Sequence, residues 1–587
     1  MPGIYGGTAQ VLSKMSEELL ISDNFEIKDE FKDSSCEIGQ IGLKKNLFRA
    51  YKSDDIFVFV DGYVFNIEEI NKKFNCSEEF FSSLLAKAYK ENFLNELLKL
   101  SNGYFVAVLY DQINKKILLF SDRLGTRFLY YYYKNKRFLF GSEIRCFLTL
   151  DFVDKEIDKT SLECFVNGGN NFYLLGNNTY FKNIKLLKPA TILEYDIKQN
   201  KIDQKYYWTF QDIKPSNITY EDAIDKLHNL VESAVLKRIK NLDKDDYLLP
   251  LSGGLDSRLL FAILNNHKKM PSFIYTNGEQ NCTDVLYAKA LCKNYNYKHY
   301  INHPKNLKNY LEVAKKSSLL TEGMTVFFEY GTYDFFEGKF LLSGYVGDMV
   351  FGESFKSDSK MLNKKMDSQI AEFFYGKFKD LSDYNDDYFN INKIEASLFI
   401  NRVRRYTAQM LNIELNFNEQ ILPYIDNDII DFIYSIPDDY RASNYLYSDM
   451  LLKFYPDYFK KIPWNRYNRP IQGKIYKNNR FNINWLMGKI ERCSFLSRKW
   501  KKSILKRINY HEWFAKKTFH VFQKELIKKE NLKEIEEMYN HSVIEELFSK
   551  ESWKEIGENI TNKNAWKIAL FVTAELYFRK LKEKNVI

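Results

Sequence analysis

A short run of small and hydroxylated residues, Ser252-Gly253-Gly254-Leu255-Asp256-Ser257, stands between the apolar stretches Tyr247–Leu251 and Leu259–Leu264. The pattern predicts a buried strand, a glycine turn and a helix. Two glycines let the backbone close on an anion, successive N–H groups turn inward, and the helix N-terminus adds a favourable dipole. Ser252 and Ser257 add hydroxyl donors. Asp256 would repel a bare phosphate, so its presence calls for a cation between them, for which Mg2+ with oxygen ligands is suited. The chemistry is the gripping of a polyphosphate. Taken alone, the six residues also read as a plain glycine turn before a helix. The other common phosphate loop, Gly-x-x-x-x-Gly-Lys-Ser/Thr, does not occur.

A second constellation is Leu341-Leu342-Ser343-Gly344-Tyr345-Val346-Gly347-Asp348-Met349-Val350-Phe351-Gly352. An apolar strand ending in Ser-Gly can set backbone N–H groups, Gly344 among them, near a phosphate. Asp348 can complete a Mg2+ shell with Asp256, two carboxylates plus phosphate oxygens being an ordinary arrangement for that ion. By itself such a segment is more often a loop with a capping Asp. Tyr345, with an ordinary phenol pKa of about 10, is a poor base at neutral pH without a partner. Between the constellations, Ser272–Gly278 reads as a strand and its C-terminal turn. Ligands collect at such strand ends in open parallel sheets, so Tyr275, Thr276 and Asn277 are expected to line the nucleotide site.

The elements that must hold these residues belong to a long chain. Its 587 residues suffice for two or more cores. Hydrophobic content of 45% and charged content of 28% are those of a soluble globular protein. The formal charge of +9 is small for this length and comes without a long basic run, which argues against nucleic acid as a partner. Seven cysteines without a C-x-x-C pair, and seven dispersed histidines, fit reduced thiols rather than a disulfide framework or zinc site. No signal pattern opens the chain and no apolar run is long enough to span a bilayer, so the expectation is a cytoplasmic protein without membrane contact.

Residues 1–207 read as a β-rich domain. Phe57–Asn66 reads as two apolar strands joined at an Asp61-Gly62 turn, Phe80–Leu98 as a helical stretch, and Gly103–Asp111 and Lys116–Gly125 as further strand segments. Two apolar sheets are the economical interpretation. From about 215 the character changes to α/β: Tyr220-Glu221-Asp222 begins an amphipathic helix that leads into the phosphate loop, and Asp284–Cys292 reads as a helix. Residues from about 480 to 587 read as covering helices with a solvated face.

Ser-Gly-Gly-Leu-Asp-Ser after an apolar strand resembles the pyrophosphate loop of the N-type ATP pyrophosphatases, in particular the synthetase domain of asparagine synthetases. Ser343–Gly352 resembles that family's second loop, with Tyr345 replacing its first Glu and Asp348 retained. Asp122–Tyr131, Phe140–Ile144 and Tyr206-Tyr207-Trp208 resemble core segments and exit of the glutamine amidotransferase domain that precedes it. The resemblance implies a two-sheet αββα Ntn-hydrolase-like domain over 1–207. It implies a parallel-sheet PP-loop ATP pyrophosphatase domain with extra covering helices over 215–587. The expected nucleotide-binding residues are then Leu251, Ser252, Gly253, Gly254, Leu255, Asp256, Ser257, Tyr275, Thr276, Asn277 and Gly344, with Asp256 and Asp348 on Mg2+.

The departures from that family are as informative. It opens Met-Cys-Gly-Ile, whereas here Pro2 precedes Gly3 and Ile4, and proline offers no nucleophile for a thioester step from glutamine. Where the family carries Asp-Gly to hold the glutamine amine, this chain has Asn102-Gly103. A Tyr at position 345 is similar to β-lactam synthetase, which pairs it with a Glu, yet Thr407-Ala408-Gln409-Met410 offers Gln409, which cannot act as a base. A catalytic Lys follows an Arg-Pro or Arg-Gln in several relatives, but Arg469-Pro470 is followed here by Ile471, which leaves Lys474 and Arg469 as the nearest cations. The resemblance therefore implies an ATP-dependent, AMP-forming ligase of a carboxylate and an amine, small molecules or peptides, without glutaminase activity. Lasso-peptide macrolactam cyclases share this logic. An ammonia-using asparagine synthetase and an inactive ATP-binding scaffold are the alternatives, and a homodimer or biosynthetic partner proteins the expected assemblies.

Overall fold

The computed structural model describes all residues except 1–2, 9, 21–22, 45–48, 168–172, 279, 281, 303–309, 327–338, 352–394, 396–397, 442–443, 465–470, 477–525 and 562–563. Pro2, Arg469 and much of the expected C-terminal helical region therefore lie outside the described residues.

Twelve strands up to Tyr206 form two antiparallel six-stranded sheets. They are β1 (Gly3–Gly7), β2 (Phe25–Lys32), β3 (Glu37–Leu43), β4 (Tyr51–Lys52), β5 (Ile56–Val64), β6 (Gly103–Asp111), β7 (Lys116–Ser121), β8 (Tyr130–Lys134), β9 (Arg137–Gly141), β10 (Ile184–Leu186), β11 (Thr191–Asp196) and β12 (Lys201–Tyr206). One sheet runs β10-β8-β9-β1-β3-β2 and the other β12-β11-β7-β6-β5-β4. Ile4, Ile38, Phe59, Val106, Val108, Leu119, Phe138 and Phe140 fill the layer between them. The helices Leu12–Leu19 and Phe81–Lys90 cover the outer faces, over β3 and β5 respectively. All of β6 is buried, as a strand covered on both faces must be.

Two local readings are corrected. Phe57–Asn66 is not a pair of strands with a turn: β5 runs unbroken and pairs with β6 from Ile56 opposite Asp111 to Val64 opposite Gly103. Gly62 serves close approach instead, since a Cβ there would lie 2.2 Å from the Tyr104 carbonyl oxygen, and its φ is +116°. The stretch 80–98 is two helices, Phe81–Lys90 and Leu94–Leu100, separated where Asn92 adopts a left-handed φ of 62°.

After the helix Tyr220–Ile239, five strands form a wholly parallel sheet: β13 (Tyr247–Pro250), β14 (Phe273–Asn277), β15 (Tyr300–Asn302), β16 (Phe340–Leu342) and β17 (Glu419–Ile421). Their order is β15-β14-β13-β16-β17. The chain moves outward from β13 to β15 and then returns to the other side of β13, so a topological switch point falls between β13 and β16. Open α/β sheets bind ligands in the crevice beyond that point. The helices Lys529–Asn540, Lys550–Thr561 and Ala565–Glu583 pack together, the last of them against the helices Tyr310–Leu320 and Lys159–Val166, and Phe571 and Phe578 share a core with Phe165 and Tyr180. No helix among the described residues is long and apolar enough to cross a membrane.

The antiparallel part is bolted to the parallel sheet by charge. Arg127, 3% exposed, bonds Glu419 on β17 and lies 3.7 Å from Asp61 on β5. Arg123 Nη1 donates to both carboxylate oxygens of Asp431, at 2.9 and 3.1 Å. Arg238 bonds Asp426 and also donates to the Asn102 side-chain oxygen at 3.3 Å, an oxygen that accepts the Asn427 N–H at 3.2 Å as well. Asn102 is thus committed to the junction between the two parts.

Candidate active site

Leu251 leaves β13 with its N–H on the Tyr275 carbonyl at 2.8 Å, and the helix Leu255–Asn266 starts three residues beyond Ser252. Three successive loop amides point inward to side-chain oxygens. Ser252 N donates to Ser257 Oγ at 2.9 Å, Gly253 N to Asp284 Oδ1 at 2.9 Å, and Gly254 N to Ser252 Oγ at 3.1 Å. All three amides are taken up by the chain's own side-chain oxygens here, so the loop works as a nest for phosphate oxygens once those oxygens stand in for Ser257, Asp284 and Ser252 as acceptors. The loop is braced from behind by Arg258, 1% exposed, whose guanidinium donates to the Gly253 carbonyl at 2.8 Å and to the Ile462 and Pro463 carbonyls at 2.9 and 3.0 Å. Burial pulls this guanidinium down to about 10, only partly offset by Tyr287, Tyr447 and Asp284 nearby. Thr276 Oγ1 donates to the Leu251 carbonyl and meets His299 Nε2 at 2.8 Å; burial holds that imidazole at about 4, so it is neutral and donates.

The second loop, after β16, packs directly on the first. A Cβ at Gly347 would lie 2.5 Å from Asp256 Cγ, and one at Gly344 would lie 3.0 Å from Ser257 N, so two glycines permit the approach. Asp256 and Asp348 therefore belong to abutting loops. Asp256 is fixed twice: Tyr447 OH donates to Oδ1 at 2.9 Å and Tyr424 OH to its backbone carbonyl at 2.7 Å. Phe351 of the second loop stacks on Tyr447 at 4.4 Å and meets Tyr424 edge-on at 5.2 Å. Val346, between Tyr345 and Gly347, has a φ of +71°. A β-branched residue in that region is an outlier costing about 1–3 kcal/mol, a strain that concentrates at functional sites. Two carboxylates on contiguous loops at a switch point fit a Mg2+ that takes its remaining oxygens from phosphate and water. Among the described residues no group of three or more His, Cys, Asp or Glu forms a protein-only metal site.

Leu251, Ser252, Gly254, Asp256, Ser257, Tyr275, Thr276, Asn277, Gly344, Tyr345 and Asp348 all line one cleft of about 500 Å³. Gly253 and Leu255 are buried in the loop wall. Lys474 is not brought to it. That residue is exposed, its ammonium sits 4.9 Å from the Tyr220 ring, and its turn is held by Asp449, which accepts the Lys474 N–H at 2.8 Å and the Tyr476 N–H at 2.7 Å. Gln409 also turns away, donating to the Thr321 carbonyl at 3.1 Å.

The same cleft contains residues that sequence reasoning missed: Asp284, Arg402, Tyr406 and Glu414. Thr407, Met410 and Glu414 recur at helical spacing along one face, a periodicity that could have pointed from the inspected segment to Glu414. Arg402 forms an ion pair with Asp348 at 3.3 Å. No local signal marks it.

Residues 48–208 match the family model of a glutamine amidotransferase domain. The chain is 22% identical over 477 residues to a putative glutamine-hydrolysing asparagine synthetase of Methanocaldococcus jannaschii, covering 75% of this chain and 78% of that protein. A second from that organism is 26% identical over 309 residues, 51% of this chain and 59% of its own length. A glutamine-hydrolysing asparagine synthetase of Bacillus subtilis is 27% identical over 234 residues, 38% of this chain and 36% of its own. Among solved structures, the glutamine phosphoribosylpyrophosphate amidotransferase of B. subtilis complexed with ADP and GMP is similar at 9% identity over 51% of this chain and 65% of that one, with a TM-score of 0.24 that carries no argument. Together the sequence similarities support an asparagine synthetase-like enzyme, a ligase of the amidotransferase type.

Proposed function

We propose that the cleft joins a carboxylate to an amine at the expense of ATP, forming AMP and pyrophosphate. The observation that carries this reading is the abutment of the two loops at the switch point, with three inward amides on one side and Asp256 and Asp348 beside them. A substrate carboxylate oxygen attacks the α-phosphorus, the bond from that phosphorus to the bridging oxygen breaks, and pyrophosphate leaves. The amides of Ser252, Gly253 and Gly254 and the hydroxyls of Ser252 and Ser257 would hold the leaving group where its charge grows, exchanging their present bonds to Ser257, Asp284 and Ser252 for phosphate oxygens. Asp256 and Asp348 would hold Mg2+, which when bound offsets part of that charge. The amine nitrogen then attacks the acyl carbon, the bond to AMP breaks, and the amine gives up a proton. Tyr345 and Glu414 line the same cleft, and Glu414, whose Oε2 accepts from Gln420 Nε2, would offer the carboxylate acceptor that a phenol alone does not.

The amine comes from the substrate itself or from free ammonia, because position 2 is proline. In the antiparallel part, Cys36 and Cys146 are buried and burial pushes both thiols well up, the reverse of an activated nucleophile. A nucleotide-binding scaffold without turnover is the second reading, favoured by the placement of Lys474 on Tyr220 outside the cleft.

The test is carboxylate-dependent exchange of labelled pyrophosphate into ATP across acidic amino acids and short Asp- or Glu-containing peptides, with Asp256→Asn as the blank. Exchange with wild type alone, AMP as product and no glutamate released from glutamine are expected. ADP as the sole nucleotide product refutes the reading. ATP binding without exchange over the whole set selects the scaffold.

A further inference from the structure

The cleft is rich in oxygen ligands and acids, yet a polyphosphate carries several negative charges, and the cation that the sequence offered lies elsewhere. Among the described residues that line it, Arg402 is the sole Lys, Arg or His. Its guanidinium is 28% exposed and reaches Asp348 Oδ2 at 3.3 Å and Met349 Sδ at 3.1 Å, so it stands at the rim of the second loop.

The segment that carries it is unusual. Leu398–Thr407 is a ten-residue π-helical stretch, a rare form that is frequent at functional sites. Its neighbours face the antiparallel part. Asn401, Arg404 and Arg405 are each at most 2% exposed. Asn401 Oδ1 accepts the Gly176 N–H at 2.7 Å. Arg404 donates to the Gly125 carbonyl at 3.3 Å and to the Leu187 carbonyl, and Arg405 to the Gly176 and Asn178 carbonyls at 3.2 and 3.0 Å. Two buried guanidiniums bonded to carbonyls on three separate loops fix the register of this stretch, because sliding by one residue would strand them unpaired in the interior.

Resting on the adenylating reading of the cleft, we propose that Arg402 is a further catalytic residue that grips the phosphates of ATP. The antiparallel part, through Asn401, Arg404 and Arg405, positions it. The planar fork of a guanidinium suits phosphate oxygens better than an ammonium does. Asp348 holds that fork at the cleft. With ATP bound, Arg402 would exchange its bond to Asp348 for phosphate oxygens, and Asp348 would be left to hold Mg2+. The antiparallel part then has a role that requires no glutamine chemistry.

The experiment is calorimetric titration of the full-length protein with inorganic pyrophosphate in excess Mg2+, alongside exchange assays. Arg402→Met is expected to weaken pyrophosphate binding at least tenfold with an unchanged unfolding midpoint, and Arg402→Lys to stay within about threefold of wild type. Arg404→Met is expected to weaken binding and lower the midpoint together, as a positioning residue should. Binding by Arg402→Met within twofold of wild type overturns the proposal. Arg402-dependent binding in a protein that exchanges with no carboxylate keeps Arg402 and removes the adenylation reading. Exchange at wild-type speed in Arg402→Met does the reverse. A wild-type protein that does not bind pyrophosphate overturns both.

Discussion

Replacing Gly347 by Ala tests the contact between the two loops most directly. The new Cβ would stand 2.5 Å from Asp256 Cγ and 2.7 Å from each carboxylate oxygen. Ordinary contact needs a withdrawal of about 1 Å. Asp256 has little room to give it, since Tyr447 holds Oδ1 at 2.9 Å and Tyr424 holds the backbone carbonyl at 2.7 Å. Gly347 has no left-handed φ, so its backbone accepts alanine and the fold should survive. A displacement of about 1 Å at a reacting centre costs on the order of 10²-fold in rate, equivalent to about 3 kcal/mol of barrier. Pyrophosphate–ATP exchange by Gly347→Ala is therefore expected to fall about a hundredfold, with an unfolding midpoint close to wild type. Gly344→Ala, whose Cβ meets Ser257 N at 3.0 Å, should lose less. Exchange by Gly347→Ala within threefold of wild type would refute the assignment of Asp256 to the reacting centre.

Two predictions concern the charged junction. Asp61 is buried with Arg127 beside it, and burial outweighs that attraction, raising its carboxyl from an ordinary value of 3.8 to about 6. A raised carboxyl contributes stability that is complete below the unfolded value and lost as pH climbs through the folded one, so ionised Asp61 costs the fold about 3 kcal/mol above pH 7. Asp61→Asn should melt higher than wild type at pH 7.5 and converge with it toward pH 4; a gap that does not change with pH would contradict this. Arg127→Met leaves Asp61 and Glu419, 0% and 3% exposed, facing each other without their cation. A penalty of about 3–5 kcal/mol is expected, read as a lower thermal midpoint and faster proteolysis between the two parts. A midpoint unchanged at neutral pH would show that the pair adds nothing to the junction.

The phosphate loop was legible in the sequence because it is made of neighbours. Ser252 to Ser257 set their own amide directions and helix start, so consecutive residue types suffice to announce the anion site. The strands at Gly103–Asp111 and Ser272–Asn277 were legible for the same reason, through apolar runs bounded by turns. Asp61-Gly62 misled because a glycine that lets two backbones approach looks, in one dimension, like a glycine that turns a chain. Offset from a resemblance points to Lys474 and meets only Gln409, which cannot act as a base, whereas the cleft takes Glu414 and Arg402 from the same stretch of chain as Gln409 and leaves Lys474 outside, on Tyr220. Those choices rest on where the π-helical stretch lies against the second loop, through Arg402 and Asp348. Its place is fixed by Arg404 and Arg405 reaching partners more than two hundred residues away. Local chemistry fixed what the loop can hold, and only long-range packing decided which cation and which carboxylate stand opposite it.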